Sequence, residues 1–231
     1  MYCVKKQMPS TPLMERDLSL VPDVFCQLFL RLEISLLPWQ RSPKGIMSQP
    51  RIIAGAAKGK RLKVVPGNIT RPITDKVKGA LFNILNNDIE GSVFLDLFGG
   101  TGSVGLEALS RGAEFAVFIE KNRAACTILK ENITSTCFEE SADVFLMDAL
   151  KYLQKEPDHL FDYIFVAPPQ FKALWKETMY RLEENPQWLD QDGKLIVQID
   201  VLEYEKMDLS HFTEVEQRKY GDTLLLFYER K

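Results

Sequence analysis

From Val93 onward the chain alternates short, dense apolar runs with segments in which apolar residues return at helical spacing. The runs at 93–98, 115–119, 142–147, 161–166 and 194–199 leave little room for a polar face and predict buried strands. Helices are predicted at 103–111, 122–134, 149–155 and 172–184. Alternating units of this kind imply a parallel sheet with helices on both faces. Two further runs, near 211–217 and 223–229, have only Arg218–Asp222 between them. That gap is too short for a parallel crossover, so it predicts an antiparallel hairpin turning at Lys219-Tyr-Gly-Asp222. Upstream, Val77, Leu81, Ile84 and Leu85 fall on one helical stripe. Thr74 is placed as the N-cap of that helix and Asp75 in its first turn, with Lys76 and Lys78 off the stripe and facing water. Arg51–Ala54 and Arg61–Val65 predict two short strands around Gly55–Lys60, a basic hairpin, and Pro66-Gly67 a turn.

The first strand–helix–strand unit, VFLDLFGGTGSVGLEALSRGAEFAVFIE, carries the densest candidate chemistry. Gly99, Gly100 and Gly102 allow a sharp turn and close approach of backbone to a ligand. Thr101 or Ser103 is placed to cap the following helix, and Arg111-Gly112 to end it. Gly100 to Gly105 matches the dinucleotide fingerprint GxGxxG, with Glu120 twenty residues after its first glycine. Glycines at such turns also serve packing alone, so that match is weak by itself. Three features favour S-adenosylmethionine over NAD. Asp96 precedes the glycines, where a carboxylate can face a cationic amino-acid moiety. The loop after the 161–166 strand carries Pro168-Pro169. No second nucleotide-binding half follows, and the chain has only two histidines, His159 and His211, for hydride chemistry. Glu120, at a strand tip, is placed to accept hydrogen bonds from both ribose hydroxyls. Asp148, at the next tip, is placed to accept from the adenine amino group, to cap the helix beginning at Ala149, or both.

Ala167-Pro168-Pro169-Gln170-Phe171 follows the fourth strand. Two consecutive prolines stiffen the backbone and leave carbonyls free to face an exocyclic amine. Methyl transfer from a sulfonium is an in-line displacement, and such an amine is a poor nucleophile because its lone pair is delocalised into the ring. Positioning therefore carries much of the catalysis, and effective molarities can contribute about 7–11 kcal/mol. Phe171 or Trp175 is a candidate to stack on a flipped-out base, and ordinary core packing is the other reading of each.

Length and charge refine this picture. The 231 residues suffice for one α/β domain with an appendage, and 45% hydrophobic with 26% charged residues is an ordinary globular balance. The net charge of −3 argues against a wholly basic nucleic-acid binder. Yet Arg51, Lys58, Lys60, Arg61, Lys63, Arg71, Lys76 and Lys78 stand against Asp75 alone between residues 51 and 79. This is a local footprint for a polyanion, and the other reading is a solvated charged face. Cys3, Cys26, Cys126 and Cys137 show no metal spacing, which implies reduced thiols, no metal and a cytoplasmic setting. The apolar stretch Val24–Leu37 is interrupted by Arg31 and Glu33 and is too short to span a bilayer, so no membrane partner is expected. Residues 1–46 are read as an N-terminal extension, disordered or artefactual, with translation starting at Met47. Residues 47–90 are read as an RNA-facing hairpin and helix, and 91–231 as a methyltransferase domain.

Arg51-Ile-Ile-Ala-Gly55, Thr70-Arg-Pro-Ile-Thr-Asp75 with Ala80-Leu-Phe-Asn83, Leu95-Asp-Leu-Phe-Gly99, Phe118-Ile-Glu-Lys121, Asp148-Ala149 and Lys219-Tyr-Gly-Asp-Thr223 resemble the RsmD family in order and spacing. The resemblance covers about residues 50–230. It implies a class I S-adenosylmethionine-dependent methyltransferase, with a Rossmann-like seven-stranded sheet that acts on the N2 amine of a guanine in 16S rRNA. The implied partner is small-subunit rRNA within 30S particles, and the implied enzyme a cytoplasmic monomer. Asp96, Phe98 and the Gly99–Gly102 turn, with Thr101, would hold the methionine part of the cofactor, Glu120 and Lys121 the ribose end, and Asp148 with Ala149 the adenine. Arg51, Lys58, Lys60, Arg61, Arg71, Thr74, Lys76 and Lys78 would line the RNA entrance.

One departure matters. The family's catalytic loop usually reads Asp or Asn, Pro, Pro, then Tyr or Phe, whereas here it reads Ala167, Pro168, Pro169, Gln170, with the aromatic displaced to Phe171. The amide oxygen of Gln170 with the carbonyls of Ala167 and Pro168 would replace the lost acceptor. Otherwise the chain is a non-catalytic ribosome-assembly factor that kept the fold. A nucleotide-dependent oxidoreductase, or methylation of a DNA adenine or a protein amide, are the remaining readings.

Overall fold

In the computed structural model, which describes residues 49–65 and 73–231, successive residues of each central strand part to opposite faces of one seven-stranded sheet. The strands are β1 (Val93–Asp96), β2 (Phe115–Glu120), β3 (Ala142–Leu146), β4 (Phe161–Val166), β5 (Leu189–Asp200), β6 (Phe212–Tyr220) and β7 (Thr223–Arg230). The helices are α1 (Asp75–Leu85), α2 (Gly105–Ser110), α3 (Arg123–Thr136), α4 (Ala149–Tyr152) and α5 (Leu174–Glu184). On one face Phe94, Phe118, Phe165 and Ile196 pack with Leu81 and Phe82 of α1, Leu106 of α2 and Leu129 of α3. On the other, Leu95, Val117, Ile164 and Val197 pack with Tyr152 of α4 and with Trp175 and Met179 of α5. Both faces are covered, which is why the central runs carry no polar alternation. Each fully buried Leu or Phe contributes roughly 1.5–3 kcal/mol.

The sheet order is β3-β2-β1-β4-β5-β7-β6. The first five in this order are parallel, and β7 runs antiparallel between β5 and β6. The predicted class I architecture and its closing hairpin are therefore present, with Tyr220 opposite Thr223 across a Gly221-Asp222 turn. The strand order reverses between β1 and β4, and open α/β sheets bind ligands in the crevice at such a reversal. Thr74 caps α1 as predicted, its Oγ1 accepting from Val77 N at 3.3 Å.

Three local expectations fail. The basic hairpin does not develop its two strands: Arg51 and Arg61 make one isolated antiparallel bridge, flanked by Ile52 N donating to Lys60 O at 2.9 Å and Leu62 N donating to Pro50 O at 2.8 Å. The pairing goes no further because the donors beyond Ile52 turn to α2. Ile53 N and Ala54 N donate to the Glu107 carboxylate at 2.7 and 3.0 Å, and Ala57 N donates to Ser110 Oγ at 3.0 Å. Gly55 permits this approach, since a Cβ there would lie 1.6 Å from the Ser110 carbonyl oxygen. Neither Thr101 nor Ser103 caps α2, which begins after Val104 with no side-chain cap. Lys78 does not face water, as described below.

The chain divides at Ile46/Met47, and the described residues lie in the second unit, Met47–Lys231. Residues 51–62 and α1 share the sheet's core through Ile52, Leu62, Val77 and Leu85. The expectations for residues 1–46, Cys3 and Cys26, the Pro66-Gly67 turn and Arg71 lie outside the described residues. Among the described residues no helix is long and apolar enough to cross a membrane.

Candidate functional site

Because β3, β2, β1 and β4 are adjacent and parallel, the residues that leave their C-terminal ends leave on one edge. Asp148, Glu120, Asp96 and the Ala167–Phe171 loop therefore line up in that order along the edge, although they are scattered over 75 positions of sequence.

Asp96 ends β1 and is buried. Its Oδ1 has no hydrogen-bond partner among the described residues. Burial pushes its carboxyl up to about 7, the backbone N–H groups of Phe98 and Gly105 oppose the shift, and the Glu120 charge adds to it. A buried oxygen left unpaired costs free energy, so this one has capacity for a further donor.

Glu120, at the end of β2, ties the glycine turn to its own strand. Oε2 accepts from Gly100 N at 2.9 Å and Oε1 from Asn122 N at 2.6 Å. Each carboxylate oxygen has further lone-pair capacity, so a diol can still bind there. Gly102 sits at φ +83°, where its Cβ would meet Leu129 at 2.4 Å. Part of the glycine signal thus reports packing rather than ligand approach. Thr101 is half-buried, and its carbonyl accepts from Asn132 Nδ2 at 2.9 Å. Phe98 is half-buried against the α4/α5 side of the core. Gly99 is buried under the turn.

Asp148 is the N-cap of α4, with Oδ1 accepting from Leu150 N at 3.0 Å. Its other oxygen is 3.8 Å from Lys121 Nζ, an exposed pair. Ala149 is buried beside it.

In the proline loop Pro168 is buried, while Ala167, Pro169 and Gln170 are half-buried. Phe171 is 65% exposed and holds φ +58°, and Ala173 holds φ +54°. Two non-glycine residues in the left-handed region cost energy that the surroundings must repay, and such strain gathers at working sites. The Phe171 N–H is held by Glu203 Oε1 at 2.8 Å. Trp175 is withdrawn as a stacking candidate: it is 1% exposed, packed by α5 against the sheet.

The basic segment divides. Lys58, Lys60, Arg61, Thr74 and Lys76 are exposed, as is Arg51, which pairs with Asp75 at 2.9 Å. Lys78 is 0% exposed and is corrected from RNA contact to internal strut. Its Nζ donates to Arg51 O at 2.7 Å, Ser103 O at 3.2 Å and Ser103 Oγ at 3.1 Å, and lies 3.3 Å from Glu107 Oε2. Burial lowers its pKa, and the Glu107 charge opposes that. Asn132 is a second strut, joining Lys63 N and O to Thr101 O. Glu107, Asn132 and Glu203 went unread in the sequence. The only signal for Glu107 was a carboxylate inside the apolar segment GLEALS, while Asn132 and Glu203 offered none.

The family model described as conserved hypothetical protein 95 matches residues 50–229. Ribosomal RNA small subunit methyltransferase D of Escherichia coli K12 is 39% identical over 154 residues, 66% of this chain and 76% of that protein. The protein of the same name from Haemophilus influenzae is 38% identical over 153 residues, 65% of this chain and 78% of its own length. Among solved structures, a hypothetical protein of Thermus thermophilus superposes with a TM-score of 0.63 at 31% identity, covering 78% of this chain and 98% of that one. An RNA methyltransferase from Salinibacter ruber in complex with S-adenosyl-L-homocysteine gives 0.53 at 11% identity, covering 68% and 92%, a likeness of fold alone.

Proposed function

Because the chain belongs to the RsmD family, we propose that it transfers a methyl group from S-adenosylmethionine to the N2 amine of a guanine in small-subunit rRNA. The observation that carries this reading is the alignment of Asp148, Glu120 and Asp96 along one sheet edge, ending at the proline loop. Cofactor fit is supported by the buried, unpartnered Oδ1 of Asp96, a suitable acceptor for the ammonium of an amino-acid moiety. Glu120 would hold the ribose hydroxyls and Asp148, with Ala149, the adenine end. Bound there, the cofactor supplies an electrophilic methyl on sulfur.

The chain's own residues then have distinct tasks. The Ala167–Phe171 loop receives the target base, and exposed Phe171 offers its ring for stacking, a contact contributing roughly 1–3 kcal/mol per base. Lys58, Lys60, Arg61 and Lys76 present charge to RNA phosphates, and Arg51 can exchange Asp75 for one. The relatives named for small-subunit rRNA support the RNA class, and a 30S particle in the cytoplasm is the setting that follows from it.

The test is methyl transfer to unmodified 30S particles, with mass mapping of the rRNA and calorimetry with S-adenosylhomocysteine. One new methylguanine supports the reading. Folded protein that binds S-adenosylhomocysteine and 30S particles yet transfers nothing points instead to the assembly-factor reading, which Ala167 motivates.

A further inference from the structure

From Ala167 to Phe171 the loop contains no carboxylate, yet one stands against it from the neighbouring strand. Glu203 closes the Val201–Glu203 turn that follows β5. Since β4 and β5 pair in parallel, Val166 opposite Val197, both chains leave the sheet on the same edge. The half-buried Glu203 turns its carboxylate to the loop, with Oε1 accepting from Phe171 N at 2.8 Å. Oε2 is 3.5 Å from Asp200 N, the outer limit of a hydrogen bond, so that oxygen keeps acceptor capacity. Asp200 fixes the turn by accepting from Leu202 N at 2.9 Å. Leu202, the residue before Glu203, is 85% exposed, and Phe171 is 65% exposed. A carboxylate with spare acceptor capacity thus stands at the backbone of an exposed aromatic residue, the combination a flat base with an amino edge requires.

We propose that Glu203 is a catalytic residue that receives the target amine. The assignment rests on the reading above. The guanine N2 lone pair forms a bond to the methyl carbon, the carbon–sulfur bond breaks, and its electron pair stays on sulfur as the neutral thioether. One N2 proton passes to the Glu203 carboxylate and from there to water, which restores the charge balance. An ionised carboxylate accepts more strongly than the Gln170 amide and can also take the proton.

The experiment compares wild type, Glu203→Ala, and Glu203→Ala combined with Ala167→Asp. Turnover and KM are measured on unmodified 30S particles, with S-adenosylhomocysteine affinity by calorimetry and folding by circular dichroism. Glu203→Ala should lower kcat roughly 100-fold while KM and S-adenosylhomocysteine affinity stay within about twofold. Ala167→Asp, which returns a carboxylate to the loop without restoring the Phe171 contact, should recover most of the loss. A Glu203→Ala variant with wild-type turnover overturns the assignment and leaves the proposed function standing. So does a loss that Ala167→Asp fails to recover, which marks Glu203 as a brace for Phe171. Absence of transfer by the wild type overturns both.

Discussion

Glu107→Gln tests whether the 51–61 segment and the glycine turn are held by one buried charge cluster. The Glu107 carboxylate accepts from Ile53 N at 2.7 Å, Ala54 N at 3.0 Å and Arg111 Nε at 2.8 Å, with Lys78 Nζ at 3.3 Å. Lys78 and Glu107 side chains are both 0% exposed. Glutamine keeps the shape but turns one acceptor oxygen into a donor. In either orientation that donor faces another: Ile53 N and Lys78 Nζ meet one oxygen, Ala54 N and Arg111 Nε the other. The substitution also leaves the Lys78 ammonium without its buried counter-charge. Removing one partner of a buried pair costs about 3–5 kcal/mol. In a domain of this size about 1 kcal/mol shifts Tm by roughly 2–4 °C, so a fall of roughly 6–20 °C is expected. Lys78→Met should cost less, about 1–3 kcal/mol, because Glu107 keeps Arg111 and two backbone donors. The double variant should fall short of the sum, since both changes act on one contact. Urea unfolding followed by far-ultraviolet circular dichroism reads these differences. A Glu107→Gln protein within about 1 kcal/mol of wild type at unchanged m-value would refute the reasoning.

Asp96 predicts a pH dependence. Its carboxyl, raised from 3.8 to about 7, keeps a proton in the folded chain that the unfolded chain has lost, so stability should fall as pH rises from about 4 to about 7. Asp96→Asn should remove that slope in unfolding curves taken across the range. S-adenosylhomocysteine binding, which favours the ionised form, should release a proton below about pH 7 and tighten as pH rises, read by calorimetry in buffers of different ionisation heat; uptake of a proton would contradict it. Replacing Lys58, Lys60 and Arg61 together by alanine should weaken RNA binding and flatten its log–log salt slope by about 2, as each phosphate contact to a single strand contributes roughly 0.7. An unchanged slope removes these residues from the interface. Gly55→Ala forces a Cβ to 1.6 Å from the Ser110 carbonyl at φ +80°, so the 51–61 loop should lift from α2 and become cleavable in limited proteolysis.

The division between sequence and fold follows the range of the interactions. Strands β1 to β7, the hairpin turn and the tips carrying Asp96, Glu120 and Asp148 were legible, because short apolar runs, glycine turns and caps are written within a few residues. The proline loop was legible as a motif, and so was the N-cap Thr74. Lys78 was misread because helical spacing tells which residues share a face, not what packs against the opposite one. Its partners Arg51, Ser103 and Glu107 lie on other elements. The expected hairpin stayed a single bridge for the same reason: Glu107 and Ser110, more than fifty positions away, claimed the backbone donors beyond Ile52. Glu203 carries no local mark, and only the parallel pairing of β4 with β5 brings it to the loop. Local chemistry in the chain set the elements and their tips. Which buried charge meets which, and which carboxylate reaches the loop, depended on packing between distant segments, where desolvation makes each pairing obligatory.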